Sequence, residues 1–190
     1  FRKWNNKENV EFVFVSKFLK DRSEELLNIK FNKFHIIPNQ INEDIFKYKK
    51  KDIEQRKKIC MIRSFHNLDS YSIDTNVKVI LELSKKDYFK ELEFCIYGKG
   101  EMHDILLKPI EKFTNVKIIN EFLSFEDMNK MYQENGISLF ASRYDTQGVS
   151  TLESAMVGTI PLVSKNTGLS NFLQENNINY SEVDDYISMA

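Results

Sequence analysis

The sequence lacks several features that would place it in a specialised class. Its 190 residues contain no apolar run long enough to span a bilayer and no secretory signal pattern. The 27 basic and 28 acidic residues give a net charge of −1, without the basic surplus that nucleic-acid binding requires. Hydrophobic content of 42% and charged content of 29% are typical of an ordinary globular protein. We therefore expect a cytoplasmic protein that binds no nucleic acid.

Cysteine and histidine are also scarce. Cys60 and Cys95 each lie in an apolar run typical of a buried strand, which favours two reduced core residues over a disulfide. The three histidines are far apart, and no spacing typical of metal ligands is present. His66 and His103 are interpreted as surface or core residues. No pair of nucleophile and general base stands out, and the sequence predicts no metal and no cofactor.

From residue 58 onward, apolar strands alternate with amphipathic helices, a pattern typical of a parallel sheet covered on both faces. The predicted fold class is α/β, a doubly wound, Rossmann-like parallel sheet that binds ligands beyond the carboxyl ends of its strands. The predicted strands span 58–65, 92–100, 115–122, 136–142 and 159–165. The predicted helices span 72–86, 101–113 with an interruption near Pro109, 124–135 with a capping box of Ser124 and Asp127, the end of 143–158, and 169–177. The ligand-binding loops are then 63–72, 98–101, 120–124, 141–148 and 164–169.

The first 57 residues show a less regular pattern. Alternation at 10–15 predicts a strand, and a helix with an apolar stripe follows it. The stripe consists of Phe18, Leu19, Leu26 and Leu27. The segment 47–58 carries seven basic and two acidic residues, which is typical of a solvated connection. Contact with anionic lipid headgroups is the alternative for this segment.

Two acids flank the junction of a loop and a helix in the stretch RYDTQGVSTLESAMVG at 143–158. We expect Asp145 at the mouth of the loop and Glu153 deeper, beside a buried stripe of the helix, so that both can bracket one ligand. Carboxylates accept two hydrogen bonds each and suit the vicinal hydroxyls of a sugar or ribose. The predicted buried stripe consists of Val149, Leu152 and Met156. The N–H groups of Gly148, Val149 and Ser150 are predicted to be free at the helix start, where they favour an anion. A solvent-facing or salt-bridged Glu153 is the alternative.

Arg63 ends the first strand of the sheet and lies at the same predicted edge. Its guanidinium suits a diphosphate, which it can bind with two parallel hydrogen bonds, and a structural ion pair is the alternative. The loop with Gly98 and Gly100 is only loosely similar to a glycine-rich phosphate turn, because it lacks the spacing of a dinucleotide fingerprint.

Several loops carry, in order along the chain, the residues of one family pattern. They are Ile37-Pro38-Asn39-Gln40, Arg63, Gly98, Gly100, Asp145, Gly148, Glu153-Ser154-Ala155-Met156, Gly158 and Pro161. On these residues, over roughly 31–175, the chain resembles the C-terminal, donor-binding domain of the retaining GT-B glycosyltransferases known as glycosyl transferases group 1, family 4. The resemblance implies that this chain is the C-terminal half of a GT-B fold.

The same resemblance implies a role for each matching residue. The catalytic residues would be Arg63, which neutralises a diphosphate leaving group without a metal, and Asp145, which holds the donor sugar. Glu153 would bind the ribose hydroxyls. The remaining residues that bind the donor or nucleotide would be Gly148, Val149, Ser150, Gly98 and Gly100.

Four departures from the family pattern stand out. Asp145 is one methylene shorter than the usual glutamate, and Tyr71-Ser72 replace a Lys-Gly pair that supplies a second cation to the diphosphate. Gly168-Leu169 replace a Gly-Gly pair, with Asn171 in place of a glutamate. Residues 1–30 are expected to be a remnant of the N-terminal acceptor domain. Residues 31–190 are then the nucleotide-sugar-binding domain, truncated before its final crossover helix.

The expected function is transfer of a sugar from a nucleotide diphosphate sugar to an acceptor with retention at the anomeric carbon. The expected partners are a nucleotide sugar, a saccharide or lipid-linked acceptor, the missing N-terminal domain and the inner membrane surface as a peripheral contact. Polysaccharide or glycolipid synthesis is the expected setting. Because the chain begins with Phe1 instead of Met, we expect a piece of a longer protein that does not turn over alone. The alternative is a non-catalytic module that binds a sugar nucleotide or another protein.

Overall fold

The computed structural model describes residues 1–66, 70–175 and 180–190. The strands are β1 Phe12–Phe14, β2 Phe34–Ile36, β3 Lys58–Ile62, β4 Glu93–Tyr97, β5 Val116–Ile119, β6 Ile137–Phe140 and β7 Ile160–Val163. The helices are α1 Arg2–Asn5, α2 Lys17–Leu27, α3 Ile73–Leu83, α4 His103–Leu107, α5 Phe125–Glu134, α6 Val149–Met156, α7 Ser170–Glu175 and α8 Tyr186–Met189. Short 3-10 turns span Gln55–Lys57 and Asp87–Glu91. Strands and helices thus alternate from β3 onward.

The larger sheet contains five parallel strands in the order β5-β4-β3-β6-β7. The chain builds β3, β4 and β5 outward in one direction, and it then returns to place β6 on the other side of β3. The loops that leave β3 and β6 therefore diverge at a topological switch point, which is where open α/β sheets bind ligands. This order confirms the predicted α/β, doubly wound, Rossmann-like fold class.

All five predicted strands are present, each shorter than predicted at its carboxyl end. The N-cap half of the predicted capping box is confirmed, because the Ser124 hydroxyl accepts the N–H of Asp127 at 3.1 Å, while the Asp127 carboxylate accepts the Ser124 hydroxyl at 2.8 Å. Helix α4 is much shorter than the predicted 101–113, since Pro109 has no N–H with which to continue the helix. Residues 176 and 177 of the last predicted helix and residues 67–69 of the first predicted loop lie outside the described residues.

Alternate residues of β3 supply the two faces of the core. Ile59 and Met61 pack with α3 on one face, where Ile73, Val77 and Ile80 are spaced to form one buried stripe. Each such side chain contributes about 1.5–3 kcal/mol through its burial. The opposite face contains the β3 residue between Ile59 and Met61, together with several aromatic side chains. It includes Cys60, Phe46, Tyr132 and Phe140.

The two cysteines are neighbours in the sheet. Cys60 on β3 and Cys95 on β4 are partners in the parallel register, and both are free thiols. Cys60 is fully buried, and its burial raises the pKa of the thiol. The predicted core position is therefore confirmed for Cys60, whereas Cys95 is only half-buried, and the reduced state of both thiols stays a prediction.

Residues 1–40 form a separate small sheet beside the larger one. Strands β1 and β2 pair in parallel, with α2 as the connection between them. Phe31 packs against Phe12 and Phe14, with ring centroids 4.6 and 4.8 Å apart. The strand and helix predicted in this region are both confirmed.

The buried face of α2 is not the predicted one. Leu26 is 67% exposed, whereas Glu24 is only 4% exposed. The Glu24 carboxylate is held by the ammonium groups of Lys20 at 3.0 Å and Lys30 at 2.6 Å, and it accepts the N–H of Phe31 at 3.1 Å. The apolar-stripe prediction was therefore wrong at Leu26, because a satisfied carboxylate occupies the inner face of the helix.

We predict that Glu24→Gln destabilises the chain at neutral pH and much less in acid. The hydrogen bond from Lys30 holds the pKa of Glu24 at about 2, well below the ordinary pKa of a glutamate. A carboxyl group whose pKa is lowered on folding stabilises the protein above its unfolded pKa and loses this effect as the pH falls through the folded pKa. Urea denaturation should therefore show a gap between wild type and variant that narrows from about pH 4.5 to about pH 2. A gap of constant size would contradict the ionic role of Glu24.

The basic segment 47–58 is only partly solvated. Lys51 is buried and donates a hydrogen bond to the backbone oxygen of Tyr132, and its burial lowers its pKa to about 8. Lys57 and Lys58 form ion pairs of 3.4 Å with Glu91 and Glu93. The three remaining lysines, Lys47, Lys49 and Lys50, are exposed. Contact of this segment with lipid headgroups stays a prediction. Across the described ranges, none of the helices has the length and apolarity that a bilayer crossing needs.

Candidate functional site

Arg63 follows β3, and the loop that carries Asp145 follows β6. These two strands lie on either side of the switch point. Arg63 is the first residue after β3, and Ser142 lies two residues after the end of β6. The Arg63 Nη2 donates a hydrogen bond of 3.1 Å to the Ser142 hydroxyl. The parallel topology therefore brings the predicted cation to the loop that carries Asp145.

Arg63 is buried, with 7% of its surface exposed, yet no carboxylate pairs with it anywhere in the described part of the chain. Its guanidinium carbon lies 4.8 Å from the ring centroid of Tyr71 and 4.7 Å from that of Phe140. Its Nε is buried and has no hydrogen-bond partner in the described part of the chain. Burial lowers the pKa of Arg63, but a guanidinium stays protonated in proteins. The alternative of a structural ion pair is therefore wrong, and Arg63 retains unused donors.

Asp145 organises the loop before α6. Its Oδ1 accepts the N–H of Gln147 at 3.2 Å and the N–H of Gly148 at 2.8 Å. Gly148 has φ 82° and ψ 43°, a left-handed conformation that favours glycine. The prediction of a free Gly148 N–H was wrong, because Asp145 caps it. The N–H groups of Val149 and Ser150 have no acceptor among the described residues.

Glu153 is nearly buried, with 6% of its surface exposed, and its carboxylate has no hydrogen-bond or ion-pair partner within the described ranges. Burial alone raises its pKa. The predicted buried stripe of Val149, Leu152 and Met156 is only half-buried. Helix α6 instead turns Ser154 toward β6, where its hydroxyl lies 3.1 Å from that of Ser138. The alternative of a solvent-facing or salt-bridged glutamate is therefore wrong.

The charges of these groups act on one another. Asp145 raises the pKa of Arg63, although burial has the larger opposite effect. The buried hydroxyl of Tyr132 has no hydrogen-bond partner in the described structure. Burial raises the pKa of Tyr132, with a smaller increase from Glu153 and a decrease from Arg63. The guanidinium and both carboxylates therefore share one electrostatic neighbourhood at the switch point.

Gly98 and Gly100 serve a steric purpose at this edge. A Cβ on Gly98 would lie 1.8 Å from the backbone oxygen of Arg63, and a Cβ on Gly100 would lie 2.4 Å from the carbonyl carbon of Phe65. The Arg63 N–H donates to the Tyr97 oxygen at 3.0 Å, and this bond holds the two loops together. The close approach accounts for both glycines without a ligand, and their predicted role in binding a nucleotide stays a prediction.

Gln147 is a residue of the site that the sequence reasoning missed. It is 4% exposed, and its side chain binds both backbone groups of Asn39. Its Oε1 accepts the Asn39 N–H at 2.8 Å, and its Nε2 donates to the Asn39 oxygen at 2.9 Å. The Ser16 hydroxyl also donates to the backbone oxygen of Thr146. Residues 1–40 therefore contact the loop that carries Asp145.

We predict that Gln147→Ala lowers the free energy of unfolding by about 1–3 kcal/mol, because it removes two hydrogen bonds to the backbone of Asn39, each with a net contribution of about 0.5–1.5 kcal/mol. Urea denaturation would measure the change, with Gln40→Ala at an exposed position as the matched control. The control should differ from wild type by less than about 0.5 kcal/mol. Equal stability of the two variants would show that the contact with Asn39 contributes nothing.

Two basic residues near the site are engaged elsewhere. Arg143 binds Asp74 at 2.7 Å and Asp184 at 2.9 Å, and Lys165 binds Glu182 at 3.0 Å. Neither takes the place of the lysine that the family pattern has at position 71. Within the described ranges, no group of three or more His, Cys, Asp or Glu side chains is arranged to hold a metal ion.

Comparison with known proteins identifies the family. A model of the family described as glycosyl transferases group 1 matches residues 56–188. No curated protein matches the sequence. Among solved structures, a variant of S. aureus TarM in complex with Fondaparinux, alpha-GlcNAc-glycerol and UDP is 20% identical, with a TM-score of 0.72 over 93% of this chain and 34% of its own.

Two other solved structures have the same fold. Sucrose-phosphate synthase from Thermosynechococcus elongatus is 14% identical, with a TM-score of 0.75 over 98% of this chain and 48% of its own. WaaG, a glycosyltransferase involved in lipopolysaccharide biosynthesis, is 12% identical, with a TM-score of 0.69 over 92% of this chain and 49% of its own. The chain thus spans 34% to 49% of the length of these proteins. Their likeness shows the GT-B fold, and the family match covers more than half of the chain: the chain belongs to the glycosyl transferases group 1 family.

Proposed function

We propose that this chain is the donor-binding part of a glycosyltransferase that takes a sugar from a nucleotide diphosphate sugar. One observation carries the proposal: a buried Arg63 and a buried Glu153 lie near the switch point, and neither has a charged partner in the described residues. Buried charges without partners destabilise a protein, so such groups are typical of sites completed by a ligand. A diphosphate and a ribose would supply the missing partners.

In the proposed mechanism, Arg63 donates hydrogen bonds to the diphosphate and neutralises the charge that develops as it leaves. The N–H groups of Val149 and Ser150 add partial positive charge at the start of α6. Glu153 accepts the ribose hydroxyls. Asp145 uses one oxygen to cap its loop, and its other oxygen accepts a hydroxyl of the donor sugar. No metal takes part, and the sugar is transferred with retention of its anomeric configuration.

The donor-side proposal is tested by calorimetric titration of the chain with UDP, GDP and ADP. We expect one of the three nucleotides to bind with a dissociation constant between about 1 μM and 1 mM, the usual range for enzyme substrates. A folded chain that binds none of them would rule out the donor site. UDP is the nucleotide in the TarM complex, and it is therefore the first to test.

The acceptor side is proposed from the family. A saccharide or a lipid-linked acceptor would meet the donor in the cleft between the donor-binding domain and an N-terminal domain. Residues 1–30 would be a remnant of that N-terminal domain. Involvement of WaaG in lipopolysaccharide biosynthesis supports a role in cell-surface polysaccharide or glycolipid synthesis. The enzyme would then act in the cytoplasm at the inner membrane surface. This chain alone would bind donor without turnover.

A second candidate function is a non-catalytic module that binds a sugar nucleotide. Tyr71 favours it, because an aromatic ring stands where the family pattern supplies a second cation to the diphosphate. The two candidates differ in the activity of the full-length protein. Sugar transfer that is lost in both Arg63→Ala and Asp145→Ala would establish the enzyme, whereas donor binding without transfer would establish the module.

A further inference from the structure

The support of the Arg63 guanidinium is unusual for a buried cation. Cations inside proteins are normally paired with carboxylates, which occupy the N–H donors of the guanidinium. Here the rings of Tyr71 and Phe140 contact the guanidinium at 4.8 and 4.7 Å, and Ser142 takes one N–H. Aromatic faces attract a cation through their electron density and accept no in-plane hydrogen bond. The remaining donors of the guanidinium therefore have no acceptor among the residues that the structure describes.

Tyr71 is itself fixed by the loop that leads to Asp145. Its neighbour Ser70 accepts, through its backbone oxygen, the N–H groups of Arg143 at 3.0 Å and Tyr144 at 3.2 Å. The Arg143 side chain returns to Asp74 in the first turn of α3 at 2.7 Å. The segment that carries Tyr71 is thus tied on both sides to the loop of the second predicted catalytic residue.

We infer that Tyr71 is a positioning residue that holds the Arg63 guanidinium by its ring and leaves the N–H donors of Arg63 free for a phosphate group of the ligand. This inference rests on the proposed function for the identity of the ligand. It assigns a role to Tyr71, which stands at the position where the family pattern has a lysine. The Tyr71 ring adds no charge to the site, and it orients the charged guanidinium of Arg63.

The inference is tested with the variants Tyr71→Leu and Tyr71→Phe of the 190-residue chain. Their binding affinities are measured by titration with inorganic pyrophosphate, with UDP, GDP and ADP, and with the corresponding nucleosides. Loss of one cation–ring contact should weaken binding of pyrophosphate and of the preferred nucleoside diphosphate by about 10-fold in Tyr71→Leu. Tyr71→Phe keeps the ring and should bind within about twofold of wild type. Affinity for the nucleoside should be unchanged in both variants. Tyr48→Leu, at a 72% exposed tyrosine, is the matched control.

Each outcome decides the inference. Wild-type affinity of Tyr71→Leu for pyrophosphate would overturn it. So would an equal loss in Tyr71→Phe, which would assign the effect to the hydroxyl, or a parallel loss of nucleoside affinity, which would indicate a general structural defect. If wild type binds pyrophosphate but no nucleotide, the proposed function fails while the pyrophosphate series still decides the role of Tyr71. If wild type binds neither probe, both proposals fail.

Discussion

Replacement of Arg63 by methionine is expected to weaken binding of a nucleoside diphosphate by about 100-fold or more, since two charge-assisted hydrogen bonds are lost at about 1.5–3 kcal/mol each. Methionine keeps much of the side-chain stem between the rings of Tyr71 and Phe140 and removes only the charge. Stability should therefore be unchanged or increased, because the variant no longer buries a cation that has no anionic partner among the described residues.

The experiment with Arg63→Met is calorimetry at fixed ionic strength, combined with urea denaturation. Arg56→Met is the control for removal of a guanidinium distant from the proposed site, because Arg56 is exposed in the turn before β3, at the opposite edge of the sheet. Arg63→Lys should bind with intermediate affinity, since an ammonium keeps the charge but cannot form the planar pair of hydrogen bonds. Undiminished binding by Arg63→Met would place the diphosphate elsewhere.

Glu153→Gln is expected to stabilise the chain and to abolish most of its affinity for the nucleotide. Glutamine has nearly the same shape and removes a buried carboxylate that has no partner in the described residues. Relief of such a group at a functional site commonly stabilises a protein by about 0.5–2 kcal/mol. The bound ribose loses its carboxylate acceptor, which should cost about 1.5–3 kcal/mol of binding free energy, or at least 10-fold in affinity.

The stabilisation by Glu153→Gln should depend on pH with a defined sign. Burial raises the pKa of Glu153 above the ordinary pKa of a glutamate, so the folded state holds its proton more tightly than the unfolded state. The stability of wild type contributed by this group is therefore complete below about pH 4.5 and is lost as the pH rises through the folded pKa.

Urea denaturation of wild type and Glu153→Gln should accordingly give similar stabilities at about pH 4 and diverge toward neutral pH. Glu24 changes the free energy of unfolding with pH in the opposite direction. Because Glu24 is present in both wild type and Glu153→Gln, its effect cancels when the two stabilities are compared. Glu134→Gln, on the exposed end of α5, serves as the control for removal of a carboxylate. A variant of Glu153 that is less stable than wild type at neutral pH would show that the carboxylate has a partner.

The sequence was sufficient for those parts of the molecule that follow from apolar runs and strand order. The strands of the larger sheet are continuously apolar, and a parallel sheet brings all their carboxyl ends to one edge. That topology alone placed Arg63 beside the 143–148 loop. The prediction required no knowledge of side-chain contacts.

The wrong predictions concern buried faces and contacts of short polar elements. These elements pack through polar contacts that the spacing of apolar residues does not indicate. Helix α6 packs on β6 through Ser154 and Ser138, so its apolar residues do not mark its inner face. Glu24 is buried because the ammonium groups of Lys20 and Lys30 and the N–H of Phe31 satisfy its carboxylate, and the last two lie beyond the end of its helix. The contact between Gln147 and Asn39 joins residues 108 positions apart, and no local pattern could have revealed it.

One error was avoidable. An aspartate three residues before a glycine at the start of a helix is a common capping arrangement, in which the carboxylate accepts backbone N–H groups. Asp145 and Gly148 have this spacing, and the structure shows the bond. The chemistry of helix starts, applied before any functional reading, would have predicted that the Gly148 N–H is occupied.

The close packing at Gly98 and Gly100 has a consequence for efforts to change donor selectivity by directed evolution. Lys99, between them, is exposed at the same edge of the sheet as Arg63. The two glycines fix the course of the backbone on either side, so the side chain at position 99 can vary without moving Arg63. A library should therefore randomise Lys99 and keep both glycines fixed, since every substitution at Gly98 would bring a Cβ to 1.8 Å from the backbone oxygen of Arg63, the residue proposed to bind the diphosphate.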